Sequence, residues 1–459
     1  MCGIAGFVND MPIDMKCPVL QRMTDMIAHR GPDSEGHYID EHAALGHRRL
    51  SIIDLGGGQQ PIYNEDGSKV ITFNGEIYNY QTLREELIAA GHTFTTKSDT
   101  EVLLHGYEQW GVDLLQRVRG MFTFVIWDKN KQELFGARDH FGIKPFYYAK
   151  MNGTFMYASE IKSLLRHPDF VKELNAEALK PYMTFQYPAI GETFFKGVYK
   201  LPEGHYFTYR DGKMDIHRYY DEDFREGKQK LGELVNSIDQ TVCDSVKAHQ
   251  IADVEVGSFL SSGVDSSYVA AVARPQHTYS IGFGKGTYNE SQQAGELAEL
   301  LKLNNTAESL TDEEAFAAFP RIQWHLDEPD SNPSCVPLYF LSALAAKDVK
   351  VVLSGEGADE LFAGYIDYGV HTKFQRMRHG HLVGLEQNVT RHPLMHVKVL
   401  LLLQFAQTLA FHTRIRLVDD ALHARRLAVF RLEQLFGLRF LKHTCLSDEA
   451  FLGRRKIGV

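Results

Sequence analysis

A cysteine stands directly behind the first methionine, in Met1-Cys2-Gly3-Ile4-Ala5-Gly6-Phe7. Cysteine is small enough for that methionine to be trimmed, which would leave a thiol and a free α-amino group on one residue. An α-amine titrates at roughly 8, so near neutral pH part of it is an unprotonated base. The thiolate is the reactive form of cysteine, and such an amine can take its proton. Cys2 is therefore a candidate nucleophile that carries its own base; position alone leaves an incidental or buried cysteine as an equal alternative. Asn74-Gly75 offers a side-chain amide beside a glycine N–H, two donors that can serve one oxyanion. Standing alone, the same pair more often marks a hairpin turn. Further on, Ser261-Ser262-Gly263-Val264-Asp265-Ser266-Ser267 puts small residues between a strand and a helix. Backbone N–H groups and hydroxyls there can converge on phosphate oxygens. Asp265 suits Mg²⁺, a hard cation that prefers carboxylate and phosphate oxygen. The competing reading is a plain Ser-capped helix, and the GK[ST] ending of a Walker loop is missing. Ser354-Gly355-Glu356-Gly357-Ala358-Asp359 closes another strand, with a carboxylate between two glycines, an unusual choice for packing.

Two kinds of scaffold must hold these residues. In the first, Cys2 to Val8, Ala44 to Asp54, Val70 to Phe73, Gly120 to Trp127 and Glu133 to Arg138 read as strands. Leu83 to Ala90 reads as a helix, and Ser98 with Glu101 fits a capping box for a helix reaching Trp110. In the second, strands and helices alternate: helix Leu231 to Gln250, strand Val254 to Leu260, helix Tyr268 to Ala273, strand Thr278 to Phe283, helix Glu290 to Leu303, strand Thr306 to Leu310, helices Asp312 to Leu326 and Pro337 to Lys347, strand Lys350 to Leu353. Such alternation predicts a parallel sheet with helices on both faces and ligands at the carboxyl ends of the strands. Both the Ser261 and the Ser354 loops lie at such ends.

The 459 residues suit two or three domains. A net charge of −10 argues against general nucleic-acid binding. Five scattered cysteines form no disulfide framework and no metal-type CxxC pair, which fits a reducing, cytoplasmic setting. The start lacks a signal-type core. The most apolar run, Val397 to Phe411, is too short and too polar to span a bilayer.

Cys2-Gly3-Ile4-Ala5-Gly6, His29-Arg30-Gly31-Pro32-Asp33, Asn74-Gly75-Glu76-Ile77-Tyr78-Asn79 and Arg138-Asp139-His140-Phe141-Gly142-Ile143-Lys144-Pro145 together resemble the glutaminase domain of class II glutamine amidotransferases, in the family order. The resemblance implies an αββα N-terminal-nucleophile hydrolase sandwich over 2–205. It also implies roles: Cys2 attacks the glutamine amide, Asn74 and Gly75 form the oxyanion hole, Arg49 holds the α-carboxylate, and Glu76 and Asp99 take the α-ammonium. Arg48 is the alternative to Arg49; the two point to opposite faces of a strand. Tyr206 to Glu226 is expected to form a terminal hairpin and then a linker, the linking segment being assigned as 206–230. Over 231–371, the Ser261–Ser267 loop resembles the pyrophosphate loop of ATP-pyrophosphatase synthetases, with Ser262 where glycine is usual. Leu353 to Tyr365 and Asp327-Glu328-Pro329 resemble the glutamine-hydrolysing asparagine synthetase family. That resemblance implies a doubly wound nucleotide-binding domain using ATP and Mg²⁺. Ser261, Gly263, Ser266 and Ser267 would hold pyrophosphate, and Leu260 and Ile281 would contact adenosine. Ser354 and Gly355 would line the same nucleotide, Asp265 and Asp359 would bind Mg²⁺, and Glu356 would act near an aspartyl intermediate. The substrates implied are glutamine, aspartate and ATP, with no nucleic acid and no membrane; a homodimer is compatible with this reading.

The resemblance ends near residue 371. The segment 372–459 carries fifteen Lys and Arg against six Asp and Glu, and lacks the KADRMSMAHSLE-type motif of the family. A helical reading is available from Pro393 to Gln434. The charge reversal and the lost motif lead to the expectation of a frame-shifted or rearranged end, with a divergent domain as the alternative. A glutaminase without synthetase activity, or an inactive truncated product, is the corresponding alternative function.

Overall fold

The structure, a computed structural model, describes residues 1–187, 189–222, 229–283, 291–362 and 364. The tail expected to be atypical, 372–459, and the apolar run within it lie outside the described residues. Met1–Glu356 form one compact unit and Gly357–Val459 a second. In the second unit the described part is a short helix, Ala358–Phe362, and Gly364.

The first unit opens with β1 (Gly3–Val8), α1 (Ile13–Asp25), β2 (Ser34–Ile39), β3 (Ala43–Arg49), β4 (Ile62–Tyr63), β5 (Lys69–Ile77), α2 (Tyr80–Ala89), α3 (Asp99–Trp110), β6 (Gly120–Asp128) and β7 (Glu133–Arg138). It continues with β8 (Tyr147–Met151), β9 (Thr154–Ala158), α4 (Ile161–Leu164), α5 (Leu179–Phe185), β10 (Val198–Lys200), β11 (His205–Arg210) and β12 (Lys213–Arg218). Two six-stranded sheets result, in the orders β10-β8-β9-β1-β3-β2 and β12-β11-β7-β6-β5-β4. Every pairing within them is antiparallel. Alternating side chains make both faces of both sheets apolar. Ile4, Leu45, Val125, Trp127, Phe155 and Phe207 fill the space between the sheets. Val19, Leu20 and Met23 of α1 cover the outer face of the first sheet. Leu83, Leu87, Val102 and Leu103 of α2 and α3 cover the outer face of the second. This is the expected αββα sandwich.

Two details differ from the sequence reading. Strand β11 pairs with β7, so the terminal hairpin belongs to the sandwich and the first domain runs past residue 205. Ser98 caps α3 by accepting from the Thr100 N–H, but the capping box does not close. The Glu101 carboxylate turns back instead to the N–H groups of Thr95 and Thr96, at 2.7 Å each.

The rest of the first unit has α6 (Leu231–His249), β13 (Val256–Phe259), α7 (Val264–Ala273), β14 (His277–Phe283), α8 (Ser291–Leu301), β15 (Asn304–Leu310), α9 (Asp312–Leu326), α10 (Cys335–Ala345) and β16 (Val351–Leu353). The strands form one parallel sheet ordered β15-β14-β13-β16. Helices pack on it through clusters such as Leu260, Ala270, Ala294 and Ala298, and Tyr279, Leu344 and Ala345. Among the described residues, no helix is long and apolar enough to cross a membrane.

Candidate functional site

Cys2 enters the first sheet immediately ahead of β1, with its thiol against the strand-end residue Leu50. The Leu50 N–H lies 3.4 Å from Sγ, and Sγ lies 3.6 Å from the Leu50 carbonyl. Arg30 Nε donates to the Cys2 carbonyl at 2.9 Å and fixes the backbone there. Burial pushes the Cys2 thiol up, so the resting sulfur is a neutral thiol. Burial also brings the nearby Met1 α-amine down to about 5, making it a free base at neutral pH.

Asn74 and Gly75 do not form a turn. Both lie inside β5, paired with Thr123 and Phe122 of β6. A Cβ on Gly75 would come within 2.3 Å of the Met121 carbonyl oxygen, so only glycine fits that register. Asn74 is 1% exposed, yet both its side-chain oxygen and nitrogen lack a hydrogen-bond partner. A buried orphaned amide costs roughly 1–3 kcal/mol, which marks a place where a ligand is awaited. His47 Nε2, 3.0 Å from the Phe73 carbonyl, ties β3 to β5 one residue before it.

Glu76 follows Asn74 by two residues and shares its face of β5. Asp99 begins α3, and its Oδ2 accepts from the Ile77 N–H at 2.9 Å. Burial lifts Asp99 to about 6, and burial together with Asp99 raises Glu76 well above the carboxylate range. Both carboxylates add to the upward push on the Cys2 thiol, after burial. The neighbouring arginines differ in their partners. Arg48 is bound to Asp25 and Glu35 on the outside, at 2.5 and 2.6 Å. Arg49 is 5% exposed, and its guanidinium donates only to backbone carbonyls, Ile53 at 3.0 Å and Asp54 at 2.7 Å. Its charge has no carboxylate partner there.

Lys144, quoted within a motif but given no role, is buried beside these groups. Burial lowers its ammonium, which lies in the field of Glu76, Asp139 and Cys2, and its Nζ donates to Met1 Sδ at 3.2 Å. The turn that delivers it is built by Asp139, whose carboxylate accepts from the N–H groups of Phe122, Ile143 and Lys144. Gly142 supplies a φ of +65° there. The run Gly-Ile-Lys-Pro signals the turn, but not which way the lysine points.

In the parallel-sheet domain, the Ser261–Ser267 loop caps α7. Ser261 Oγ accepts from the Gly263 N–H at 3.0 Å and meets Ser266 Oγ at 2.8 Å, while Ser267 Oγ donates to the Gly263 carbonyl at 2.6 Å. Asp265 stands in the first turn of α7. Leu260 is buried behind the loop, its carbonyl accepting from Ser280 Oγ at 2.7 Å; Ile281 follows on β14. The Ser354 loop reaches the same place. A Cβ on Gly355 would lie 2.8 Å from the Ser266 nitrogen and 2.9 Å from Asp265 atoms. The two loops therefore touch, backbone to backbone, at the end of β13 and β16. Glu356 is exposed just beyond, its N–H 3.4 Å from Ser354 Oγ. Asp359 lies in the second compact unit, in the first turn of its helix.

Residues given no role by sequence reasoning join the two domains. Arg30, which holds the Cys2 carbonyl, pairs with Glu160 at 2.9 Å; Glu160 pairs with Lys162 at 2.5 Å, and Lys162 with Asp327 at 2.9 Å. Asp327 Oδ2 also accepts from the Ile161 N–H, and Glu328 Oε1 from the Phe194 N–H. The Asp327-Glu328 pair thus docks α9 on the sandwich.

Residues 1–220 match the family model described as a glutamine amidotransferase domain, and residues 237–440 the one described as asparagine synthase. The second match runs into the segment past residue 371. The chain is 44% identical to asparagine synthetase [glutamine-hydrolyzing] 1 of Bacillus subtilis, over 80% of this chain and 59% of that protein. It is 39% identical to a putative asparagine synthetase [glutamine-hydrolyzing] of Mycobacterium tuberculosis, over 80% of this chain and 61% of that protein. It thus spans about three fifths of those relatives. A putative asparagine synthetase [glutamine-hydrolyzing] 2 of Methanocaldococcus jannaschii is 34% identical, over 80% of this chain and 76% of its own length. With both domains present in order, the chain belongs to the glutamine-hydrolysing asparagine synthetase family.

Proposed function

We propose that this chain makes asparagine from aspartate, ATP and glutamine. Cys2, freed of Met1, attacks the glutamine side-chain amide. The α-amine, held as a base by burial as it is at Met1, takes the thiol proton. The developing oxyanion takes the Asn74 amide and the Gly75 N–H. Ammonia leaves, and water releases glutamate from the thioester. Arg49 receives the glutamine α-carboxylate and Glu76 with Asp99 its α-ammonium, the arrangement a zwitterion requires. The observation that carries this half is the buried Asn74 amide with neither atom partnered.

In the second domain ATP adenylates the aspartate side chain, releasing pyrophosphate, and ammonia displaces AMP. Ser261, Gly263, Ser266 and Ser267 would hold the pyrophosphate, Leu260 and Ile281 the adenosine, and Ser354 and Gly355 the same nucleotide from the facing loop. The fit for a nucleotide rests on the close approach of Gly355 to Ser266, which a side chain would block. Asp265 would be a Mg²⁺ ligand, as the resemblance implies for Asp359 as well, and the ion when bound would neutralise phosphate charge. Glu356 would act near the aspartyl adenylate. A reducing cytoplasm suits the free thiols of Cys2, Cys17, Cys243 and Cys335.

The test supplies aspartate, Mg–ATP and an ammonium salt without glutamine, and measures asparagine and pyrophosphate. Both should form in equal amounts. Glutamate release from glutamine with no asparagine from ammonia would overturn the synthetase half.

A further inference from the structure

On the face of α3 away from Asp99, Glu65, His92, His105 and Glu108 bring one ligand-type atom each within 4.8 Å of one another. His105 and Glu108 come from α3, Glu65 from the turn between β4 and β5, and His92 from the segment behind α2. None of them belongs to the glutamine or nucleotide motifs. His92 Nδ1 lies 3.0 Å from Glu65 Oε1, and His105 Nδ1 lies 3.3 Å from Glu65 Oε2 and 3.2 Å from Glu108 Oε2. A tetrahedron built on metal bonds of about 2.0–2.1 Å has edges of about 3.3 Å, so the His105–Glu108 separation already matches one edge and the other ligand atoms lie within 4.8 Å.

The outer nitrogens of both rings face acceptors. His105 Nε2 is 3.4 Å from Glu101 Oε1, on a carboxylate that is itself fully buried, and His92 Nε2 is 3.3 Å from Gln109 Oε1. With a metal on Nδ1, the Nε2 protons of both rings would have these acceptors, the carboxylate–histidine support that metal ligands receive. The carboxylates are held in turn. Glu65 Oε1 accepts from the Thr93 N–H at 3.1 Å, and Glu108 Oε1 from Asn64 Nδ2 at 2.6 Å. Three carboxylates, Glu65, Glu101 and Glu108, surround the two rings, with Lys69 Nζ 3.4 Å from Glu108 Oε1, an excess of acidic groups that a divalent cation would offset.

We propose that Glu65, His92, His105 and Glu108 bind a transition-metal ion of borderline softness, Zn²⁺ being the best fit to two imidazoles and two carboxylates. The ion would pin α3 to the β4–β5 turn. Asp99 begins that helix six residues earlier, about 9 Å along its axis. The site therefore braces the glutamine pocket from behind rather than taking part in chemistry. The rival occupant is a proton. Burial opposes a charged His105 ring, but hydrogen bonds to Glu101 and Glu108 outweigh it and hold the ring up to about 9.

The experiment strips the full chain with a chelator and titrates it with Co²⁺. Visible absorption bands of a tetrahedral nitrogen–oxygen site should grow to saturation, show no thiolate charge-transfer band, and bleach when Zn²⁺ is added. His92→Gln and Glu65→Gln lie on the open side of the cluster. Each should weaken Co²⁺ binding by ~10-fold or more while leaving the melting temperature of the metal-free protein unchanged. Absent bands overturn the proposal, as does binding that both variants leave intact. A His105 ring that stays doubly protonated by NMR in the presence of excess Zn²⁺ would also overturn it, and would assign the cluster to a proton.

Discussion

Around Cys2 the charges are inside: Arg49 is 5% exposed, Asp99 4% and Lys144 4%. Around Ser261–Ser267 the polar groups face solvent or are half-buried, and the serine hydroxyls bond to each other and to the Gly263 backbone. A dry pocket gains strong electrostatics, but it must leave groups unsatisfied in advance, as Asn74 is. A wet loop can keep its hydroxyls partnered by each other and by backbone until a ligand replaces those partners. The first arrangement suits an uncharged amide carbonyl, whose negative charge exists only at the transition state. The second suits a polyanion that is charged from the start.

That contrast can be broken at either end. Cys2→Ala should remove glutamine hydrolysis, a loss on the order of 10⁴-fold or more, and leave ammonia-dependent asparagine formation in place. Loss of both activities would mean the two sites are not separable. Asn74→Ala should lower the glutaminase kcat by about 10²–10³-fold with a small change in KM, since an oxyanion donor acts at the transition state. A rise in KM alone would move Asn74 to ground-state binding. On the wet side, Gly355→Ala should raise the KM for ATP by about 10–100-fold, the cost of forcing a Cβ to 2.8 Å from the Ser266 nitrogen. Glutaminase activity is the internal control.

Smaller effects come from protons. Burial lifts Asp99 to about 6, and in the proposed role it would hold the glutamine ammonium only when ionised. The KM for glutamine should therefore rise as pH falls through about 6, approaching tenfold per unit, and stay flat above 7. The same shift acts on stability with the opposite sign. The folded pKa lies above the unfolded value of roughly 3.9, so ionisation destabilises the fold at neutral pH, and stability returns as pH falls from about 6 toward 4. Asp99→Asn should thus raise the neutral-pH unfolding free energy by about 1–3 kcal/mol while weakening glutamine, with no gain at pH 4. A variant that is both weaker and less stable would show that the Ile77 contact matters more than the buried charge.

Much of this was legible in the sequence because motif and element coincide. Cys2 opens an apolar strand, and Ser261–Ser267 sits between strand and helix where alternation places it. What was hidden depends on neighbours far away in the chain. Choosing between Arg48 and Arg49 needs Asp25 and Glu35, which occupy the outer arginine. Asn74-Gly75 reads as a turn until nine residues of β5 pair with β6 and carry it straight through. Glu101 fits a capping box, but the loop at Thr95 and Thr96 offers its carboxylate better donors. Lys144 has no assigned place in the sequence until Asp139 folds its turn inward.

The path from the Cys2 carbonyl through Arg30, Glu160 and Lys162 ends on Asp327. The last of these carboxylates is contributed by the other domain, and it neutralises a lysine that the sandwich buries. The boundary between the two domains is therefore a poor place to cut. A fragment ending near residue 220 would keep Lys162 but lose its second counter-charge, one bond-pair removed from the arginine that holds the nucleophile. For anyone recombining such domains, the sandwich is not a portable cartridge. It has to travel with the Asp-Glu-Pro corner of α9, or with a substitute carboxylate grafted beside Lys162.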